Sequence, residues 1–435
     1  MLNKRLIRLL DEKVLNTPLF AKFVAPCLAL MPLDEIKKNI LLNKREATKG
    51  KLVLRSHPYK GVLNLTDMCN LRCAFCEIHY IYNKFKRLYP NFVDINVLKK
   101  YSIWLQYLYN LEFYGATGEP LLNKNFADIV KFLKTTYGTR LFVNTNGILL
   151  DEKVTDTMVK YGFDDVLISV HAGKEETYNK LVGGNFSKLL NNIKYLVAKK
   201  KELGKSKPLV GLAFLLNKIN ATDIEDFINL AVRLDVDYIN VFHYYDVRNK
   251  LTKNVSFYFD PEEGNRILDK IYELANTQGI KIFPLAPPYL PAHVELEEIM
   301  GSEEIEKRRC YEPWSTIKFK GCIEHPNSHY ITVCNRILLF RINYNEYDIE
   351  NDFDFIWNHP ILQYMRETVN SNSDELNPIC AFCKNRSTPI LRCIDNKRYR
   401  ELRDNAVRDF FKEVKKSYDL PEKQGLYLLD RNPYE

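Results

Sequence analysis

Leu209-Val210-Gly211-Leu212-Ala213-Phe214-Leu215 is a short, almost unbroken apolar run. A helical pattern from Ile224 to Leu234 follows it, and then a second apolar run, Tyr238 to Phe242. Runs of this length and character suit strands buried on both faces. A helix between two of them makes a strand–helix–strand unit, the repeat of a parallel sheet covered by helices. The alternation continues in both directions. Apolar runs recur at Val62 to Leu65, Leu111 to Tyr114, Leu141 to Asn144, Val166 to Val170 and Ile280 to Phe283. Helical spacing marks Phe126 to Tyr137, Val154 to Tyr161, Leu189 to Leu203 and Pro261 to Gln278, where Ile267, Ile271 and Leu274 share one face. Six or seven such units predict an α/β fold: a partial (β/α)6-type TIM-like barrel over residues 59–284, with its chemistry at the carboxyl ends of the strands.

Polar and glycine-rich residues stand just past these runs. They are Thr66-Asp67-Met68-Cys69, Gly115-Ala116-Thr117-Gly118-Glu119, Thr145-Asn146-Gly147, His171-Ala172-Gly173, Asn217 and His243-Tyr244-Tyr245. Loops are polar in any protein, so this agrees with a barrel mouth without requiring one. The remaining chain divides into a helical N-terminal extension (1–58), a small irregular cysteine-rich domain (300–395), and a C-terminal helix and tail (396–435). Pro284, Pro287, Pro288 and Pro291 form the linker into the cysteine-rich part. That part holds so little apolar core that a metal is expected to staple it.

The 435 residues are 46% hydrophobic and 27% charged, enough for a barrel with an appendage. Sixty-three Lys plus Arg against 55 Asp plus Glu leave +8, too dilute to indicate nucleic-acid binding. Lys199-Lys200-Lys201 and Lys307-Arg308-Arg309 read as solvated helix faces. Pro18 to Met31 is apolar but interrupted by Lys22 and Pro26, too short and broken to span a membrane. It reads as a packed helix or as an amphipathic helix lying on a surface.

The ten cysteines fall at 27, 69, 73, 76, 310, 322, 334, 380, 383 and 393. A secreted disulfide scaffold would be short and cysteine-dense throughout, so clustered thiols here indicate metal ligation in a reducing, cytoplasmic compartment. Cys69-Asn70-Leu71-Arg72-Cys73-Ala74-Phe75-Cys76 puts three soft ligands directly after a strand. Structural zinc and four-iron clusters usually take four protein ligands. Three thiols leave one metal position open, unless His79 closes a zinc site.

The CxxxCxxC spacing, with an aromatic residue before its last cysteine, resembles the signature of radical S-adenosylmethionine (radical SAM) enzymes. The resemblance implies that Cys69, Cys73 and Cys76 bind three irons of a 4Fe-4S cluster, and that S-adenosylmethionine chelates the fourth. Reductive cleavage then yields a 5′-deoxyadenosyl radical that abstracts a substrate hydrogen. Tyr114-Gly115-Ala116-Thr117-Gly118-Glu119-Pro120 is similar to the family's GGEP segment, with Thr117 in place of the first glycine of the pair. It implies methionine contacts at Gly115, Gly118 and Glu119. Phe142-Val143-Asn144-Thr145-Asn146-Gly147 resembles the third-strand ending and Ser169 a ribose contact, while Phe75 is expected near the adenine. Asn144 joins this cofactor set, and Gly183-Gly184-Asn185-Phe186 also resembles the family.

Cys310-Tyr311-Glu312-Pro313-Trp314, then Ile356-Trp357-Asn358-His359-Pro360 with Met365-Arg366, then Cys380-Ala381-Phe382-Cys383 look like the SPASM and twitch extensions of that family. The resemblance implies an auxiliary 4Fe-4S cluster on Cys310, Cys334, Cys380 and Cys383, with Cys322 the rival of Cys334. Cys322 and Cys393 complete a second cluster, donate a hydrogen atom or are buried small hydrophobes. A zinc site on Cys322, His325, His329 and Cys334 competes for the same thiol. Cys27 reads as structural. His243 and Tyr244, with Tyr245, line a substrate pocket or pack in the core. The expected function is maturation of a peptide by oxidation or epimerisation, with an electron donor such as flavodoxin or ferredoxin. The alternatives are dehydrogenation or rearrangement of a sugar or alcohol, and a non-catalytic iron–sulfur protein. Neither nucleic acid nor a membrane is an expected partner.

Overall fold

The computed structural model describes residues 34–66, 68–76, 92–113, 118–244, 255–257, 260–286, 289, 310–321, 329–333, 342–343 and 351–370. Strands β1 (Lys60–Leu63), β2 (Asn110–Phe113), β3 (Arg140–Thr145), β4 (Asp165–Ser169), β5 (Leu209–Leu216) and β6 (Tyr238–His243) pair in parallel in sequence order. Helices follow them: α1 (Glu35–Thr48) precedes β1, and α2 (Ile95–Lys100) and α3 (Ser102–Leu105) precede β2. Then come α4 (Phe126–Thr136), α5 (Glu152–Tyr161), α6 (Glu175–Leu181), α7 (Phe186–Glu202), α8 (Ile224–Arg233) and α9 (Pro261–Thr277). This is the α/β partial barrel expected from the alternating pattern.

Local chemistry explains the boundaries. The Asp151 carboxylate accepts from the Val154 amide and the Asn185 side chain from the Lys188 amide, capping α5 and α7. Gly162 closes α5 in the left-handed region at φ 68°. Phe126, Ile129, Val130 and Leu133 form the buried stripe of α4. The seventh expected strand, Ile280 to Phe283, is reduced to one parallel bridge between Ile239 and Ile282. Phe283 and Leu285 are exposed, so that run lacks the burial that sustains a full strand. The lysine run also departs from expectation. Lys200 is buried, and its ammonium pairs with Asp237 at 2.6 Å, while Lys199 and Lys201 remain at the surface with Glu202 and Asp235.

The cysteine-rich part does not stand apart from the barrel. Strand β7 (Thr316–Gly321) pairs in parallel with β1, from Lys60 opposite Thr316 to Leu63 opposite Phe319. Antiparallel β8 (His329–Thr332) and β9 (Ile342–Asn343) continue the sheet beyond it. Helices α10 (Glu312–Ser315), α11 (Phe353–Trp357) and α12 (Pro360–Thr368) complete the described C-terminal part. Trp104 before β2 meets Phe353 edge-on at 4.3 Å and Trp357 at 6.4 Å, and Tyr101 meets Phe319 at 4.7 Å. One continuous core therefore runs from the barrel into residues 314–369.

Polar side chains lock the same junction. The Asn43 amide donates to the Trp314 carbonyl, and the Trp357 indole donates to the Ser56 carbonyl. The Glu46 carboxylate accepts from the Arg55 and Ser56 amides. Arg366 is buried, and its guanidinium donates to the carbonyls of Pro313, Leu52 and Trp357 while lying over the Trp357 ring. Burial lowers its pKa to about 9, and the charge of Glu46 pulls it back up. No described helix is long and apolar enough to cross a membrane.

Arg366→Leu removes the donor from three carbonyls, two of them in buried bonds, with a cost of about 3 kcal/mol. We expect a lower urea midpoint and faster proteolysis between residues 310 and 370. An unchanged midpoint would show that Arg366 is not a structural clamp.

Candidate active site

Four chain segments leave the carboxyl ends of β1 to β4 and meet at one mouth. The cysteine loop, 68–76, follows β1 and is fastened at two points. The Glu119 amide donates to the Met68 carbonyl at 2.7 Å, and the Ala74 amide donates to the Leu181 carbonyl of α6 at 2.8 Å. Within the loop the Cys76 amide donates to the Cys73 carbonyl, and the Leu71 amide donates to Cys69 Sγ at 3.4 Å. Cys69, Cys73 and Cys76 form no disulfide. Cys69 and Cys73 pack against the hydrophobic core.

Glu119 is the hub. Its side chain is buried, yet it accepts three bonds. Thr145 Oγ1 donates to Oε1 at 2.6 Å, the Leu121 amide donates to Oε1 at 3.0 Å, and the Asn146 amide donates to Oε2 at 2.8 Å. The Asn146 side chain then donates to Asn70 Oδ1 at 2.9 Å, joining the cysteine loop to the end of β3. Burial raises the Glu119 pKa, while the three donors act against that shift. A carboxylate offers about four acceptor positions, so Oε2 retains room for a further donor such as an ammonium. Gly147 completes the turn at φ 73°. A Cβ there would lie 2.5 Å from Leu189 and 2.9 Å from Ile168, so only glycine fits.

Two further expected residues come together. Ser169 Oγ on β4 lies 3.2 Å from Asn144 Oδ1 on β3, a hydroxyl and an amide side by side at the same mouth. Phe75 meets the His171 ring edge-on at 5.0 Å. His171, which carried no role in the sequence reading, is fixed from every side. It adopts φ 61°, its amide donates to Ala213, its carbonyl accepts from Asn220, and Nδ1 accepts from the Leu215 amide. A non-glycine residue persists at positive φ only where its surroundings fix it on several sides, as they do here. Burial lowers its pKa to about 4, and the bond to Nδ1 leaves the proton on Nε2. Thr145 and Asn146 were likewise visible in the motif but not singled out, because their role appears only when β2 and β3 lie side by side.

The thiols suit an iron–sulfur cluster. Burial raises the pKa of Cys69 and Cys73, and the charges of the neighbouring cysteines raise them further. Such sulfurs keep their protons until a metal displaces them. In a four-iron cluster each thiolate binds its own iron, so the sulfurs need not converge. A single ion demands convergence, and among the described residues no three His, Cys, Asp or Glu side chains could share one.

Other expectations resolve differently. His243 and Tyr244 are both buried, and His243 stacks on Tyr289 at 3.9 Å. Cys310 is half-buried; its backbone N–H donates to Asn370 Oδ1 and its carbonyl accepts from Asn370 Nδ2. Gly115, Cys27, His79, Tyr245, Cys322, His325, Cys334, Cys380, Cys383 and Cys393 lie outside the described residues.

Residues 63–231 match the family described as the radical SAM superfamily. A GTP 3′,8-cyclase of Limosilactobacillus fermentum is 27% identical over 239 residues, 53% of this chain and 65% of that one. A tungsten-containing aldehyde ferredoxin oxidoreductase cofactor-modifying protein of Pyrococcus furiosus is 27% identical over 187 residues, 40% of this chain and 48% of that one. The match thus spans about half to two thirds of the length of these curated relatives. Among solved structures, Streptococcus suis SuiB bound to precursor peptide SuiA superposes with a TM-score of 0.52 at 14% identity, covering 85% of this chain and 80% of that one. That likeness shows the fold.

Two outcomes test this geometry. Thr145→Val removes the 2.6 Å bond to Glu119 at nearly constant volume. The expected loss is about 2 kcal/mol, as for hydrogen bonds to charged groups, read from the denaturant midpoint. An unchanged midpoint would remove Glu119 as the hub. His171 takes up a proton near pH 6.5 when unfolded and near pH 4 when folded. Its contribution to stability is complete above pH 6.5 and is lost as pH falls toward 4. A His171→Gln variant should therefore lose less stability than wild type between pH 7 and 4.5, although His359, lowered to about 4 as well, adds a similar slope in both. Parallel pH profiles for the two proteins would contradict the assignment.

Proposed function

We propose that this chain, whose residues 63–231 match the radical SAM superfamily, uses a 4Fe-4S cluster and S-adenosylmethionine to abstract a hydrogen atom from a peptide during maturation. The observation carrying the radical SAM chemistry is the fastening of the three-cysteine loop to the buried Glu119 carboxylate at the ends of β1 to β3. When bound, the reduced cluster supplies the electron that splits S-adenosylmethionine into methionine and the 5′-deoxyadenosyl radical. Cys69, Cys73 and Cys76 would hold three irons. Glu119 Oε2 would accept from the methionine ammonium, a contact assigned also to Gly115 and Gly118. Ser169 and Asn144 would bind the ribose, and Phe75, which meets His171 edge-on, would flank the adenine. The barrel wall keeps water from the radical. Abstraction would break one substrate C–H bond homolytically, the hydrogen atom passing to 5′-deoxyadenosine and leaving a substrate radical. Loss of an electron to an auxiliary cluster and of a proton would give oxidation, while return of a hydrogen atom from a cysteine thiol would give epimerisation.

The peptide is supported by the fold shared with SuiB, solved with its precursor peptide, over 85% of the chain. Cys310 with Cys334, Cys380 and Cys383 is assigned to the auxiliary cluster, Cys322 being the rival of Cys334. The electron comes from a flavodoxin or ferredoxin. A second reading, cyclisation or rearrangement of a small metabolite, is favoured by curated relatives named GTP 3′,8-cyclase.

Anaerobic reconstitution and reduction should yield 5′-deoxyadenosine, measured by chromatography. No product from protein with a spectroscopically intact cluster sinks the enzyme reading. The variant carrying Cys69→Ala, Cys73→Ala and Cys76→Ala should keep about four irons per chain. None retained would remove the auxiliary cluster.

A further inference from the structure

Tyr178, on α6, is fully buried, and its hydroxyl has no hydrogen-bond partner among the described residues. Buried hydroxyls without partners are uncommon and call for a missing group. The ring is held firmly. It packs on Phe186 at 4.9 Å, and the amides of Val182 and Gly183 both donate to the Tyr178 carbonyl. Gly184 leaves the space into which the hydroxyl projects. A Cβ at that position would lie 2.8 Å from Tyr178 Oη and 3.2 Å from the Leu71 side chain, so the hydroxyl sits beneath the cysteine loop. The same helix accepts the bond that fastens this loop, from Ala74 to Leu181. Burial raises the Tyr178 pKa, and among the described residues the Cys73 thiol raises it further.

We propose that Tyr178 Oη donates a hydrogen bond to the sulfur of Cys73 once that sulfur is an iron-bound thiolate, and that this bond raises the cluster's reduction potential. The inference rests on the radical SAM reading of the cysteine loop. The hydroxyl and the Cys73 sulfur share no hydrogen bond in this structure, so forming one requires the two to approach as the cluster is loaded. Iron replaces the thiol proton and turns the sulfur into an anionic acceptor. A donor to a cluster sulfur stabilises the more negative, reduced state, which raises the potential. Tyr178 acts through Cys73 and is a positioning residue; it touches neither substrate nor S-adenosylmethionine. It decides how readily an external one-electron donor fills the cluster.

The test compares wild type, Tyr178→Phe and Gly184→Ala, each reconstituted with iron and sulfide and reduced by dithionite. Iron content should be unchanged. The midpoint potential, followed by electron paramagnetic resonance and assigned by its response to added S-adenosylmethionine, should fall in Tyr178→Phe by about 59 mV, the one-electron equivalent of a tenfold change in equilibrium constant. Gly184→Ala displaces the hydroxyl without removing it and should shift the midpoint the same way. A second readout separates this role from simple packing: Tyr178→Phe should leave the thermal stability of the apo protein unchanged or higher, and lower that of the loaded protein. Unchanged potentials in both variants with intact clusters would overturn the proposal. Wild-type protein that binds no S-adenosylmethionine-responsive cluster would instead overturn the radical SAM reading.

Discussion

A single buried carboxylate organises the mouth of this barrel. Glu119 cannot sit in a dry interior without donors. Its demand for them draws Leu121, Thr145 and Asn146 into one small volume. The carboxylate thereby sets the distance between the ends of β2 and β3. Through Asn146 and Asn70, and through its own amide on Met68, it also sets the height of the cysteine loop. Stability and function lean on the same atoms: the network that satisfies the buried charge also holds three thiols at the rim.

The second constraint is apolar. The aromatic cluster of Tyr101, Trp104, Phe319, Phe353 and Trp357 belongs to three stretches far apart in the chain. Arg366 then ties three backbone carbonyls across the same junction. A segment with too little core of its own borrows one from the barrel, so a metal is not its sole source of order. The Cys310 backbone is positioned by Asn370 within this shared core.

The barrel was legible because its strands are continuous apolar runs and its helices carry regular stripes; the first six strands lie within a few residues of their expected limits. Phe75, Glu119, Asn144 and Ser169 were named from motifs, and the structure brings them to one end of the sheet. Other features depend on what lies across the sheet. Thr316–Gly321 reads Thr-Ile-Lys-Phe-Lys-Gly, an alternation typical of a half-buried strand. Its pairing with β1 is a long-range event invisible to local pattern, and Lys318 is buried because Glu312 lies 3.5 Å away. Lys200 escaped notice for the same reason: its partner, Asp237, is remote in sequence. The Ile280 to Phe283 run has the right composition but, among the described residues, only β6 beside it.

Strand β1 lies between β2 and β7, yet its two partners arrive at very different times. β2 begins about fifty residues after β1, whereas β7 begins about 250 residues after it. At roughly 5–20 residues per second, ribosomal synthesis leaves one edge of β1 unpaired for about 13–50 s. That edge leads directly into the cysteine loop. During this interval that edge of β1 has no partner, while β2 and the strands after it are already available on the other side. Pairing with β7 therefore comes late in synthesis, and it fixes from its second side the strand that leads into the cysteine loop.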